Sequence, residues 1–170
     1  GADMSSKAVP KQNPTEKLGT FCAINGKFAV IEYSDLPDAL AYRTDPDGRL
    51  HFAAGSAGVH MLSRAFVERL NAQGACRLPY HRAVKRVPHL TTDGRRVLPA
   101  EPNAVKLEMF VFDALEYADT ALVLEVSRVE EFSPIKNAAG PSSLATSMAD
   151  QNRRHAEWLE QAGVSVPRDA

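Results

Sequence analysis

A chain of 170 residues with 44% apolar and 24% charged residues has the length and balance of a globular domain with one core, which excludes intrinsic disorder. Lys and Arg number 20 against 21 Asp and Glu, so there is no basic surplus of the kind a nucleic-acid or membrane-surface binder carries, and any phosphate handling must be local. No run approaches the ~20 apolar residues of a membrane span, and residues 1–13 are small and polar with no apolar segment of a secretion signal, which predicts a cytoplasmic protein.

In chain order, residues 10–17 are polar and read as a loop. Thr20–Ile24 and residues 27–32 are apolar runs joined by Asn25-Gly26, a dipeptide that supplies the positive φ angles of a tight hairpin and leaves Glu32 at a strand end. Pro37 suits the first turn of a short helix over 36–42, with Ser34 or Asp35 as its cap. Asp47-Gly48 is a turn signal, followed by a predicted strand over 49–54 that runs into the small residues Gly55, Ser56, Ala57 and Gly58. Small side chains there would let a ligand approach the backbone.

Ser63 is placed to cap a helix over 64–72 with Phe66, Val67 and Leu70 on one face and Gly74 as its stop. Leu107, Phe110, Val111, Ala114, Leu115 and Ala118 recur at helical spacing, with Asn103 as a candidate cap, and predict a second helix. Thr120 to Val126 reads as a strand buried on both faces, residues 130–140 as a loop, and residues 141–162 as a long helix ending at Gly163. The elements add up to a mixed α/β layer architecture. Cys22 and Cys76 fit no metal-ligand spacing, and His51, His60 and His155 suggest no metal site, so no metal ligand is assigned. The basic run His81, Arg82, Lys85, Arg86 and His89 reads as a solvated strand face, with attraction of a nucleotide as its rival.

Spacing alone yields no nucleophile–base pair and no glycine-rich phosphate loop. Four blocks nevertheless occur in order: Glu32-Tyr33-Ser34-Asp35-Leu36-Pro37, Asp47-Gly48-Arg49-Leu50, Lys106-Leu107-Glu108-Met109-Phe110-Val111-Phe112-Asp113, and Glu130-Glu131-Phe132-Ser133-Pro134-Ile135-Lys136-Asn137-Ala138. With Asn13-Pro14-Thr15-Glu16-Lys17 ahead of them, they resemble the UDP-N-acetylhexosamine pyrophosphorylases and their bacterial relatives over residues 7–138. The resemblance implies the later half of a Rossmann-like, GT-A-like nucleotidyltransferase domain with a mixed sheet and flanking helices. Residues 1–140 would be its sugar-phosphate-binding half and 141–170 a helical tail. The family's G-x-G-T-R-L-G loop and downstream lysine, which hold UTP in the earlier half, do not occur in this sequence, and the opening Gly-Ala-Asp-Met reads as that of a cut piece.

The implied reaction is attack of a sugar 1-phosphate on the α-phosphorus of UTP, giving a UDP-sugar and pyrophosphate, with Mg²⁺ expected in the complete enzyme and no cofactor implied for this chain alone. Glu32 matches the glutamate that accepts hydrogen bonds from sugar hydroxyls, against the competing reading of a solvated hairpin residue. Gly55-Ser56 falls where the family has Gly-Asn, and a serine cannot offer the carbonyl acceptor and NH₂ donor of an amide together, which leaves the choice of sugar open between an N-acetylhexosamine and glucose. Phe110 and Phe112 match phenylalanines that shape the sugar pocket; on the expected helix Phe110 belongs to the core face and Phe112 is the better pocket residue. Lys136 matches the lysine that contacts the phosphates, and its loop follows a predicted strand, where ligands of open α/β sheets bind. The resemblance thus implies partners in UTP, a sugar 1-phosphate and the missing N-terminal half of the domain, with no nucleic acid and no membrane. The rival class is a non-catalytic sugar-nucleotide-binding or scaffold module derived from the same fold.

Overall fold

The computed structural model describes residues 1–72 and 78–167. Its elements are β1 (Met4–Pro10), β2 (Thr20–Ile24), β3 (Lys27–Ile31), α1 (Asp38–Ala41), β4 (Ala54–Leu62), α2 (Arg64–Asn71), β5 (His81–Lys85), β6 (His89–Leu90) and β7 (Arg96–Val97). They continue with β8 (Ala104–Glu108), a 3₁₀ helix (Val111–Tyr117), β9 (Ala121–Glu125), α3 (Arg128–Glu131) and α4 (Leu144–Gln161). Strands β3, β2, β4, β1 and β9 lie in that order in a mixed sheet with flanking helices, the α/β class the sequence predicts. The chain divides into two compact units, one of residues 1–5, 23–30 and 60–122, the other of residues 6–22, 31–59 and 123–170.

The hairpin forms because Asn25 and Gly26 take φ of 51° and 80°, the pair of left-handed conformations that a two-residue turn needs. β1 is a strand the sequence reading passed over. Its residues are small and polar, and pairing with β4 and β9 rather than local propensity makes it extended, with Met4, Ser6, Ala8 and Val9 buried.

In the first unit, Phe66 is fully buried, joined by Met4, Phe112, Ala114, Leu115 and Ala118. Ser63 caps α2 by accepting the Phe66 N–H at 3.2 Å, as expected, although Val67 turns to solvent. The expected stop at Gly74, like Cys76, lies outside the described residues. The predicted helix from Leu107 to Ala118 is corrected: residues through Glu108 form β8, paired antiparallel with β5 from His81 opposite Glu108 to Lys85 opposite Ala104. Only Val111–Tyr117 turns, as a 3₁₀ helix, and Asn103 bonds the backbone of Val87 instead of capping it. Val105, Leu107, Met109 and Val111 also alternate with period two, so the same letters satisfied both patterns and the ladder to β5 decided between them.

In the second unit, Ala8, Val9, Leu18, Phe21, Leu36 and Ala41 are the buried apolar residues. Neither Ser34 nor Asp35 caps α1; Pro37 stands at that position with no side-chain cap. The strand expected over 49–54 is absent as such, because the Asp47-Gly48 turn closes a Thr44–Leu50 bridge and the strand starts at Ala54. The long helix starts at Leu144 rather than at 141, where Ser143 and Thr146 form a reciprocal capping box, and Gly163 with φ 87° follows its end. Glu130 and Glu131 end α3 rather than starting the loop. β9 lies at the edge of the sheet and is not buried on both faces, since Leu122 and Leu124 are more than half exposed. No described helix is long and apolar enough to cross a membrane.

Candidate functional site

The loop over residues 11–19, between β1 and β2, brings several candidate residues to one place. Lys11 is buried, and its ammonium donates to the Pro14 carbonyl at 3.3 Å and the Thr20 hydroxyl at 3.4 Å. Burial pushes its pKa below the ordinary lysine value, with Glu16 nearby opposing the shift. Further along, the Gly19 carbonyl accepts the Ser56 N–H at 2.7 Å, and Thr20 sits opposite Gly55. Lys136, on the segment after α3, donates from its ammonium to the Lys17 carbonyl and lines a cavity of about 180 Å³ with Glu16, Lys17, Leu18, Pro134 and Asn137.

Glu32 follows β3 directly, and its carbonyl accepts the N–H groups of Asp35 at 2.9 Å and Leu36 at 3.1 Å. The two-residue turn sets Ile31, at the end of β3, opposite Thr20, which in turn pairs with Gly55 of β4. Glu32, Gly55, Ser56 and Lys136 share one unit.

Gly55 and Ser56 lie inside β4 rather than in a loop. A Cβ on Gly55 would meet Leu18 Cδ1 at 2.8 Å, Lys11 Cγ at 3.2 Å and the Val9 carbonyl at 3.2 Å, so the glycine admits neighbouring protein, not a ligand. The Ser56 hydroxyl accepts the Gly58 N–H at 3.3 Å.

Phe110 and Phe112 belong to the other unit. Their rings stack at 4.8 Å with 16° between planes, and the Phe110 ring lies 4.8 Å from that of His81. Without a helix the ranking of the two collapses: Phe112 is buried, and Phe110 is half-buried. His81 is not one more solvated cation of the basic run, because its Nε2 lies 2.8 Å from Oδ2 of the buried Asp113, whereas Arg82 and Lys85 of the same strand are exposed. Among the described residues, no group of three or more His, Cys, Asp or Glu could hold a metal ion.

Sequence reasoning assigned nothing to Glu16 or Arg128. The Arg128 guanidinium grips both Glu16 oxygens, Nη2 with Oε1 and Nη1 with Oε2 at 3.3 Å, and bonds the Pro10 carbonyl at 3.0 Å. The Asn13-Pro14-Thr15-Glu16-Lys17 block was the available signal for Glu16; nothing in the local pattern marks Arg128 as its partner.

No family model matches the chain. The Xenopus tropicalis protein named UDP-N-acetylhexosamine pyrophosphorylase-like protein 1 is 37% identical over 166 residues, which are 96% of this chain and 32% of that protein. The UDP-N-acetylglucosamine pyrophosphorylase of Saccharomyces cerevisiae is 36% identical over 171 residues, 98% of this chain and 36% of that protein. The chain is a homologue of UDP-N-acetylhexosamine pyrophosphorylases. The fold agrees: the solved uridine diphosphate N-acetylglucosamine pyrophosphorylase of Trypanosoma brucei, in complex with an inhibitor, matches with a TM-score of 0.76 at 27% identity, covering 98% of this chain and 33% of that one. This pyrophosphorylase homologue therefore spans about a third of the length of the curated relatives it matches.

Proposed function

We propose that the chain is the sugar-phosphate side of a UTP-dependent sugar-1-phosphate uridylyltransferase. The observation that carries the reading is the meeting of Lys136, Gly55 and Ser56 on the loop over residues 11–19, with Glu32 at the end of β3 in the same unit. In this reading an oxygen of the sugar 1-phosphate attacks the α-phosphorus of UTP and pyrophosphate leaves. Such chemistry asks a protein for alignment and charge neutralisation rather than a nucleophile. An ammonium has three N–H donors; the Lys17 carbonyl takes one from Lys136, and two remain for phosphate oxygens. The Glu32 carboxylate accepts from sugar hydroxyls. Residues 1–140 carry this half and residues 141–170 the helical tail, in the cytoplasm.

UTP is held by protein beyond these residues, the N-terminal part of the domain. Among the described residues no group of three or more His, Cys, Asp or Glu is gathered, and none of the roles assigned above depends on the Mg²⁺ that the resemblance implies for the complete enzyme. Ser56 in place of the family's Asn removes the amide that would bond an acetamido group, so glucose 1-phosphate belongs beside N-acetylglucosamine 1-phosphate among the substrates to be tried.

The test is pyrophosphate release from UTP by a polypeptide that joins this segment to a UTP-binding portion, supplied with each sugar phosphate in turn. Release that requires both substrates is expected, and none is expected from the 170 residues alone. No turnover with either sugar by the joined polypeptide would favour the non-catalytic binding module.

A further inference from the structure

The reading of Lys136 as the phosphate-contacting lysine leaves open what aims its ammonium, since the stem has four rotatable carbons. Resting on that reading, we propose that Arg128 and Glu16 are a positioning pair for Lys136.

The contacts form a continuous chain. Both side chains of the pair are largely withdrawn from solvent, at 19% and 15% exposure, and the guanidinium fork meets both carboxylate oxygens, a geometry that fixes direction as well as charge. Arg128 is itself held, by the Pro10 carbonyl and by the Phe132 ring, whose centroid lies 5.0 Å from its guanidinium carbon. Glu16 takes a further bond from the Gln12 N–H at 2.8 Å. Its own carbonyl accepts the Leu18 N–H at 2.8 Å, closing a three-residue turn with Lys17 at the centre. The peptide whose carbonyl receives the Lys136 ammonium is therefore held through its own N–H by the Glu16 carbonyl.

Two consequences follow. The ammonium is anchored before any phosphate arrives, so less rotamer freedom is lost on binding. Glu16 lines the same cavity as Lys136, and its carboxylate is neutralised by Arg128, so it does not repel a phosphate there. Arg128 and Glu16 touch no reacting atom in this arrangement; they act through Lys17 and Lys136.

The experiment is a double-mutant cycle on the complete pyrophosphorylase polypeptide that carries this segment, with kcat and the KM for sugar phosphate read separately. Arg128→Met, which keeps a stem over Phe132, is expected to lower kcat roughly tenfold or more through misplacement of the ammonium, with KM within about twofold. Arg128→Lys is expected to recover only part, because one ammonium cannot grip both oxygens. In a Lys136→Ala background the Arg128→Met change is expected to alter kcat less than about twofold. If Lys136→Ala itself leaves kcat at the wild-type value, both the phosphate reading and the positioning pair are overturned. If Lys136→Ala lowers kcat but Arg128→Met multiplies that loss by its full single-mutant factor, the pair is structural and the positioning proposal alone is overturned. Should Arg128→Met fail to fold, Glu16→Gln, which keeps the size and one acceptor of the carboxylate, goes through the same cycle under the same criteria.

Discussion

Lys136 and Lys17 meet through one hydrogen bond, side-chain ammonium to backbone carbonyl, which ties the segment after α3 to the loop between β1 and β2. The next residue of that loop, Leu18, packs where a side chain on Gly55 would stand. One short stretch of chain therefore governs both ends of the candidate site, and substitutions around it separate packing from chemistry.

Gly55→Ala should destabilise the fold by about 1–3 kcal/mol, the usual range for an added methylene in a packed interior. The clash is steric, with Leu18 Cδ1 at 2.8 Å able to swing but the Val9 carbonyl at 3.2 Å belonging to backbone. Urea denaturation of the purified chain reads it directly, and an unchanged midpoint would mean that the β1–β2 loop yields.

Acid should act through Asp3, at the start of β1. Its carboxylate accepts the Asp119 N–H at 2.8 Å, together with Arg69 Nη2 at 2.8 Å and the Thr120 N–H at 3.4 Å, and these bonds hold its pKa below the ordinary 3.8 against the opposing effect of burial. A depressed folded-state pKa contributes stability that is fully present above 3.8 and is lost as pH falls through the lowered value. Asp3→Asn is thus expected to lower Tm at neutral pH, with the difference from wild type shrinking in acid. A gap that stays constant from neutral pH to below the lowered pKa would assign the effect to something other than this charge.

For Glu32, substitution in the complete polypeptide separates sugar binding from UTP binding. Glu32→Gln should raise the KM for sugar phosphate and lower kcat/KM by roughly 10- to 150-fold, the loss of one charge-assisted hydrogen bond of about 1.5–3 kcal/mol, while UTP binding stays nearly intact. Unchanged kinetics with every sugar phosphate tried would remove Glu32 from the pocket.

Local signals carried the hairpin at Asn25-Gly26, the cap at Ser63 and the α4 helix, because each is decided by residues within a few positions of one another. What failed depended on distant partners. The Leu107 to Ala118 pattern looked helical until β5 claimed Ala104–Glu108, and the small polar residues of β1 are strand only because β4 and β9 flank them. At the candidate site, Lys136 and Glu32 are singled out by the blocks they sit in, and the structure places both in one unit. Gly55 was legible as a site of close approach, but what approaches it, Leu18, is set by packing. Arg128 stands 112 positions from Glu16, a pairing that no periodicity can announce.

The most direct measurement is steady-state kinetics of Lys136→Ala in the complete polypeptide. If the ammonium stabilises charge that grows on the phosphates during transfer, kcat should fall roughly 10²- to 10³-fold, or about 2.7–4 kcal/mol, with the KM for sugar phosphate changing far less. Lys136→Arg should restore only part, because a planar guanidinium keeps the charge but not the compact position of an ammonium. A folded Lys136→Ala variant whose kcat stays within about twofold of wild type would contradict the assignment and leave Lys136 as a surface lysine on the Lys17 carbonyl.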